Sequence, residues 1–141
     1  METNMTALKF GRVAVLTALA AFAMAQSAQA APDKVCKSVA KFDPDNDGTL
    51  DLAEVKAAAA KAFAKHDPDN DGTLDLKETK GLMSKKAFKK ANPDKDGTLD
   101  KAEYMAVVEA AFKAANPDND GTVDCKELKT KTGRKLKKLM G

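Results

Sequence analysis

The residues of this chain with the most chemistry in them are carboxylates, and they recur in four stretches of twelve. The first runs from Asp43 through Asp45, Asp47, Thr49 and Asp51 to Glu54, and the second from Asp67 through Asp69, Asp71, Thr73 and Asp75 to Glu78. The third runs from Asn92 through Asp94, Asp96, Thr98 and Asp100 to Glu103, and the fourth from Asn116 through Asp118, Asp120, Thr122 and Asp124 to Glu127. Side-chain oxygens at the first, third, fifth and ninth positions, a backbone carbonyl at the seventh and both oxygens of the twelfth can surround a hard cation. A glycine at the sixth position of each stretch (Gly48, Gly72, Gly97 and Gly121) permits the sharp turn that such a cage needs.

Of the 20 acidic residues that follow Ala30, 18 occupy these positions, and only Asp33 and Glu109 lie outside them. Solvated turns would scatter carboxylates over other surfaces as well, so the segregation marks the stretches as EF-hand loops at 43–54, 67–78, 92–103 and 116–127. Pro44, Pro68, Pro93 and Pro117 hold the second position of every loop. There proline ends the preceding helix and also pre-sets the backbone, which reduces the entropy lost on closing around an ion. The first two loops offer five carboxylates each. A divalent ion leaves such a cage about three charges negative and a trivalent ion about two. Lanthanide(III) and calcium ions have similar radii and the same taste for oxygen, so charge separates them better than size does. On the residues alone, calcium remains open.

Loop starts at 43, 67, 92 and 116 leave 12 or 13 residues between one loop and the next, room for one helix. The segments between loops carry amphipathic faces: Val55, Ala59, Ala62 and Phe63; Leu82, Met83, Ala87 and Phe88; Met105, Val108, Ala111 and Phe112. Leu50, Leu74, Leu99 and Val123, at the eighth loop positions, suit a short antiparallel bridge between paired loops. Consecutive loops sit at opposite ends of a helix about 18–20 Å long, so pairing is expected to skip neighbours. The expected fold class is therefore all-α: a compact bundle of short helices with four EF-hand loops, adjacent loops joined by a single shared helix, and short β-bridges between paired loops.

The expected core is thin. Leu, Val and Phe make up 19 of the 111 residues after Ala30, about 17%, and the chain has no Ile. Charged chains below about 20% struggle to bury enough apolar surface, so metal is expected to help hold the fold together. The net charge of +3 is a near-cancellation of these caged carboxylates against lysines elsewhere. Ahead of all this, Lys9 and Arg12 precede an apolar run and a small-residue site ending at Ala30, the pattern of a cleaved secretory signal. That divides the chain into a signal over 1–30 and a four-loop metal-binding domain over 31–141, exported.

The repeated D-P-D-N-D-G-T motif, the proline at every second loop position and the one-helix spacing resemble the lanmodulin family, lanthanide-binding EF-hand proteins of the methylotroph periplasm. The resemblance spans Ala31 to about Leu128. It implies three or four lanthanide(III) ions per chain with calcium as a weaker ligand, folding driven by metal, and a periplasmic role in lanthanide uptake, storage or trafficking. It also implies pairing of first loop with fourth and second with third, and a weaker fourth site because that loop starts with Asn. Asn92 raises the same question for the third loop.

Other residues leave alternatives open. Cys36 and Cys125 can form an intrachain disulfide in an oxidising compartment, remain free, or bond between chains. His66 has no second soft ligand and is expected on a solvated helix end, and Tyr104 is expected in the core. Lys129, Lys131, Arg134, Lys135, Lys137 and Lys138 form a basic tail with Leu136, Leu139 and Met140 on its apolar face. That tail is expected to be a solvated helix, with contact to an anionic membrane as the alternative. No nucleophile and base stand at catalytic spacing, and the basic residues lack the aromatic interleaving of a nucleic-acid surface. The expectation is a binding protein rather than an enzyme, a monomer or a metal-linked dimer. Its alternatives are a periplasmic calcium buffer and a sensor that captures a partner helix.

Overall fold

The computed structural model describes residues 36–141. The signal expected over 1–30 and the acidic Asp33 lie outside the described residues. Helix α1 (Lys37–Ala40) leads into the first loop, whose strand β1 (Leu50–Asp51) runs directly into α2 (Leu52–His66). The second loop carries β2 (Thr73–Asp75) and is followed by α3 (Lys85–Ala91). The third carries β3 (Thr98–Asp100) and opens α4 (Lys101–Ala115); the fourth carries β4 (Thr122–Val123) and opens α5 (Cys125–Leu128), with α6 (Lys131–Leu139) last.

This arrangement corrects the all-α expectation. Among the described residues the fold is mixed α/β, six helices with two two-stranded antiparallel sheets. The reason lies in the backbone of the loops. Their seventh to ninth residues leave the turn extended, with N–H and C=O groups that need partners, and a second extended loop supplies them. Strand β1 pairs with β4, placing Leu50 opposite Val123, and β2 pairs with β3, placing Leu74 opposite Leu99. All four of these side chains are fully buried, so each pairing has an apolar plug behind it.

The second departure is in the connections. Helices α2 and α4, 15 residues each, join loop to loop in one piece. Between the second and third loops the chain instead makes turns over 76–83, with an isolated bridge from Lys80 to Met83, before α3 begins. Gly81 takes φ 96°, a left-handed value that ends helical continuation, and the Ser84 hydroxyl restarts a helix by accepting from the Ala87 N–H at 3.2 Å. Leu82 and Met83, expected on a helix face, therefore pack from a turn; Leu82 is buried all the same.

The core gathers where α2, α4 and α6 meet. Val55, Ala59, Phe63, Tyr104, Val108 and Phe112 bury together with Leu136, Leu139 and Met140. The Phe63 and Tyr104 rings meet edge-to-face with centroids 5.5 Å apart. The C-terminal segment is thus not a solvated tail. Its apolar face closes the core, its lysines and Arg134 face outward, and the Tyr104 hydroxyl donates to the Leu139 carbonyl at 2.7 Å from a fully buried position. Burial pushes the Tyr104 pKa upward, so the hydroxyl stays protonated to donate. At the start of α6, Gly133 lies so close to the backbone of Glu127 and Leu128 that an added Cβ would collide with it. Cys36 and Cys125 are joined as a disulfide with Cα atoms 5.9 Å apart, which fastens the start of α1 to α5. Glu109, the acidic residue outside the loops that the structure describes, pairs with Lys56 at 2.5 Å and links α4 to α2.

Removing one hydroxyl tests this closure. Tyr104→Phe leaves the Leu139 carbonyl without its buried donor and is expected to lower stability by about 1–2 kcal/mol. Thermal unfolding reads the change, and an unaltered midpoint would show that the hydroxyl does not hold α6.

Candidate metal centre

Each loop starts where a helix or turn ends, and its last four residues cap the helix or turn on its C-terminal side. In the first loop the Asp51 carboxylate accepts the Glu54 N–H at 2.7 Å while Glu54 accepts the Asp51 N–H at 2.9 Å. The same reciprocal pair recurs as Asp75 with Glu78, Asp100 with Glu103, and Asp124 with Glu127. In the first, third and fourth loops it is a capping box, formed because Asp and Glu stand three residues apart at a helix start; in the second loop the same pair closes a turn. The ninth-position aspartates therefore commit one oxygen to a backbone donor, and the twelfth-position glutamates commit one of their two. The D-x-x-E spacing was readable in the sequence as this cap as well as a pair of ligands.

A second tie fixes the fifth position. The Thr49 backbone N–H and hydroxyl both donate to Asp47, each at 2.8 Å. Thr73 does the same to Asp71, Thr98 to Asp96 and Thr122 to Asp120. Thr98, together with Asn92, holds the Asp96 carboxyl below its usual range. Threonine thus contributes its hydroxyl as well as the carbonyl assigned to it. A third regularity is at the fourth position, where Asn46, Asn70, Lys95 and Asn119 all take φ near 60°. Asn tolerates this left-handed conformation and Lys does so poorly, so the third loop alone carries strain there.

The oxygens left over converge. Asp43, Asp45 and Asp47 bring one carboxylate oxygen each within 4.8 Å of one another, and so do Asp67, Asp69 and Asp71. These two acidic clusters could hold a metal ion. In the first, Asp43 is 4% exposed; its Oδ2 accepts from the Gly48 N–H at 2.9 Å, and its Oδ1 has no donor. In the second, Asp67 accepts from the Asp71 and Gly72 N–H groups, both at 3.1 Å. The third and fourth loops open on Asn92 and Asn116, each buried with its Oδ1 unpartnered, above Asp94 with Asp96 and Asp118 with Asp120. Glu54 Oε1 and Glu127 Oε1 are buried and unpartnered too. Burial, followed by the neighbouring loop carboxylates, pushes both of these glutamates up despite the backbone donor each accepts. For Asp45, the Asp47 N–H pulls downward, but the hydrogen bond shared with Asp43, burial and the Asp43 and Asp47 charges raise it on balance.

His66 departs from expectation. Rather than standing in solvent, its Nδ1 donates to the Glu78 carbonyl at 2.9 Å, clasping the start of the second loop to its end. No helix begins directly after Glu78, and this contact takes the place of the helical donor its carbonyl would otherwise have.

Comparison with protein-family models and with curated proteins finds no match.

The geometry makes two predictions. Because Glu54 and Glu127 hold their protons more tightly in the fold than in the unfolded chain, their contribution to metal-free stability is present below the unfolded pKa and lost as pH rises through the raised range. Metal-free Glu54→Gln/Glu127→Gln should therefore melt above the parent at pH 7 and converge with it below about pH 4. Melting at or below the parent at pH 7 would contradict the reading. Separately, Lys95→Asn should relieve the third loop and stabilise the protein by about 0.5–1 kcal/mol in urea unfolding.

Proposed function

We propose that this chain is an exported binder of hard, oxygen-seeking metal ions, similar to lanmodulin, that selects lanthanide(III) over calcium and takes three or four ions in its loops. One observation carries the reading. The unpartnered buried side-chain polar atoms among the described residues are Asp43 Oδ1, Glu54 Oε1, Asn92 Oδ1, Asn116 Oδ1 and Glu127 Oε1, all of them loop oxygens at first or twelfth positions. Buried acceptors without donors are costly, and a set of them gathered at loop starts and ends is what a cation would satisfy.

The choice of a trivalent ion rests on charge. The first two loops each gather five carboxylates, and three of these sit within 4.8 Å of one another at each site. Repulsion among such groups grows as they are held closer, and the ion of higher charge relieves more of it. The ninth-position caps temper the argument without reversing it, since a carboxylate that accepts a backbone N–H still carries its charge. The ligands of each site would be the first, third, fifth, ninth and twelfth side chains with the carbonyls of Thr49, Thr73, Thr98 and Thr122. Asn92 and Asn116 supply neutral oxygens, which ranks the third and fourth sites below the first two. The placement in the periplasm, the folding on metal and the role in lanthanide uptake, storage or trafficking belong to the same proposal and rest on the resemblance.

Circular dichroism of metal-free protein titrated with buffered lanthanum and, in parallel, with buffered calcium tests selectivity. Helix is expected to form at far lower free lanthanum; formation at comparable free concentrations would instead establish a calcium buffer. In the same titration, Asn92→Asp should tighten the third site by about tenfold, the effect of one added close charge. An unchanged third site would remove the charge-count explanation.

A further inference from the structure

Two surface grooves are related by the internal repeat, and they differ in one chemically telling way. A shift of 49 residues carries the first loop and α2 onto the third loop and α4. One groove, of about 440 Å³, lies beside the first loop and is lined by Phe42, Asp43, Glu54, Ala58, Lys61 and Lys65, among others. The other, of about 510 Å³, lies beside the third loop and is lined at the corresponding places by Ala91, Glu103, Val107, Ala110 and Ala114. Both have apolar floors and both reach the twelfth-position glutamate of their loop. In the first groove, however, two lysines on successive turns of α2 replace the two alanines of α4. The cations of the second groove, Lys90 and Lys135, come instead from α3 and α6, one from each.

Lys61 and Lys65 are exposed, and neither forms a salt bridge with any described residue. The third lysine of the groove, Lys41, is already engaged: its Nζ donates to the Gly141 carbonyl at 2.6 Å and lies 4.8 Å from the Phe42 ring centroid. The same groove is also lined by Asp43, 4% exposed with Oδ1 unpartnered, and Glu54 with Oε1 unpartnered. One cavity is therefore lined both by a pair of lysines without salt bridges and by residues that carry orphaned oxygens. Beside the third loop that combination is incomplete, since Glu103 is not among the orphaned acceptors and the loop opens on a neutral Asn92.

We propose that the first groove docks an anionic oxygen chelate of the metal ion, a small polycarboxylate complex, and passes the ion to the first loop. The proposal rests on the metal-binding reading of that loop. Lys61 and Lys65 hold the chelator's outer carboxylates against a cage whose own charge would repel them. Asp43 and Glu54 then replace chelator oxygens around the ion. Only metal–oxygen contacts are exchanged, and the chelator leaves as the free anion. The third-loop groove lacks the paired lysines on the helix that leaves its loop, so that loop is filled by the hydrated ion.

The test follows loading of the full chain with lanthanum supplied either as the hydrated ion or in excess citrate, under which the complex is anionic. The Gly48 and Gly97 amide resonances report the first and third loops. In citrate the first loop is expected to load about tenfold faster than the third, a lead that falls with salt. Lys61→Ala/Lys65→Ala should abolish the lead in citrate while loading from the hydrated ion is unslowed, since two cations have left the neighbourhood of the cage. Ala110→Lys/Ala114→Lys should confer the lead on the third loop. Normal loading from the hydrated ion with no lysine-dependent lead in citrate overturns the chelate proposal alone. Failure of the first loop to take up the hydrated ion at all overturns the metal-binding reading on which it rests.

Discussion

The structure turns on oxygen acceptors that are buried where no protein donor can reach them. A twelve-residue loop has few N–H groups, and here they are already spoken for. The Gly48 N–H goes to Asp43, the Thr49 N–H to Asp47, and the Asp51 and Glu54 N–H groups to each other's side chains. What remains in the first, third and fourth loops is a set of buried oxygens without donors, at Asp43, Glu54, Asn92, Asn116 and Glu127. Burying such acceptors costs about 1–3 kcal/mol each, more where they are charged. The chain has not answered with its abundant lysines: the one salt bridge between described residues joins Lys56 to Glu109, two helix residues outside the loops. Under the metal-binding proposal, a cation brought from outside supplies what those oxygens lack.

From that constraint the rest of the architecture follows. A loop held in this crowded shape needs its backbone tied down, and the two short sheets do so by joining first loop to fourth and second to third. The rigid helices α2 and α4 then connect the two sheets, since each runs from a loop in one pair to a loop in the other. Packing of α2 on α4 and of α4 on α6 places the whole core between the loop pairs. The disulfide adds a covalent tie on the side of the first and fourth loops, where it joins the residue after the Asp124 cap to the start of α1. Cross-linking residues 89 apart shrinks the unfolded ensemble and so favours the paired arrangement. The thin core is thus braced at both ends.

Much of this was legible in the residues themselves. The loops, their glycines and the apolar eighth positions are strongly periodic, and the eighth-position residues, expected at bridges between paired loops, stand opposite one another there. Misreadings arose where local backbone chemistry competed with periodicity. The segment over 76–84 leads into the apolar spacing of a helix through Leu82, Met83, Ala87 and Phe88, but Gly81 and Ser84 divide it into a turn and a short α3. The bridges between loops grew into ladders because backbone groups, which a reading of side chains omits, required partners. The basic segment after Leu128 looked solvated because its lysines dominate its composition. Its three apolar residues, Leu136, Leu139 and Met140, decide its position by closing the core beside Tyr104. The His66 contact had no signal at all in the sequence, since its partner is a backbone carbonyl twelve residues away.

The separation of charge is the clearest sign of what the fold has been arranged around. A chain shaped for stability alone would bring its lysines onto its carboxylates, or replace clustered acids with neutral residues. Here 18 acidic side chains sit in the loops, where only Lys77, Lys95, Lys101 and Lys126 interrupt them, while the remaining described lysines lie outside the loops. A lysine at the centre of a loop would satisfy the orphaned oxygens permanently and close the site to a metal. Leaving them unsatisfied lowers the stability of the protein and, under the metal-binding proposal, reserves that free energy for the ion. Burial and then the neighbouring loop carboxylates push Glu54 and Glu127 upward, in keeping with that crowding. The framework of caps, ladders and core holds those same atoms in place.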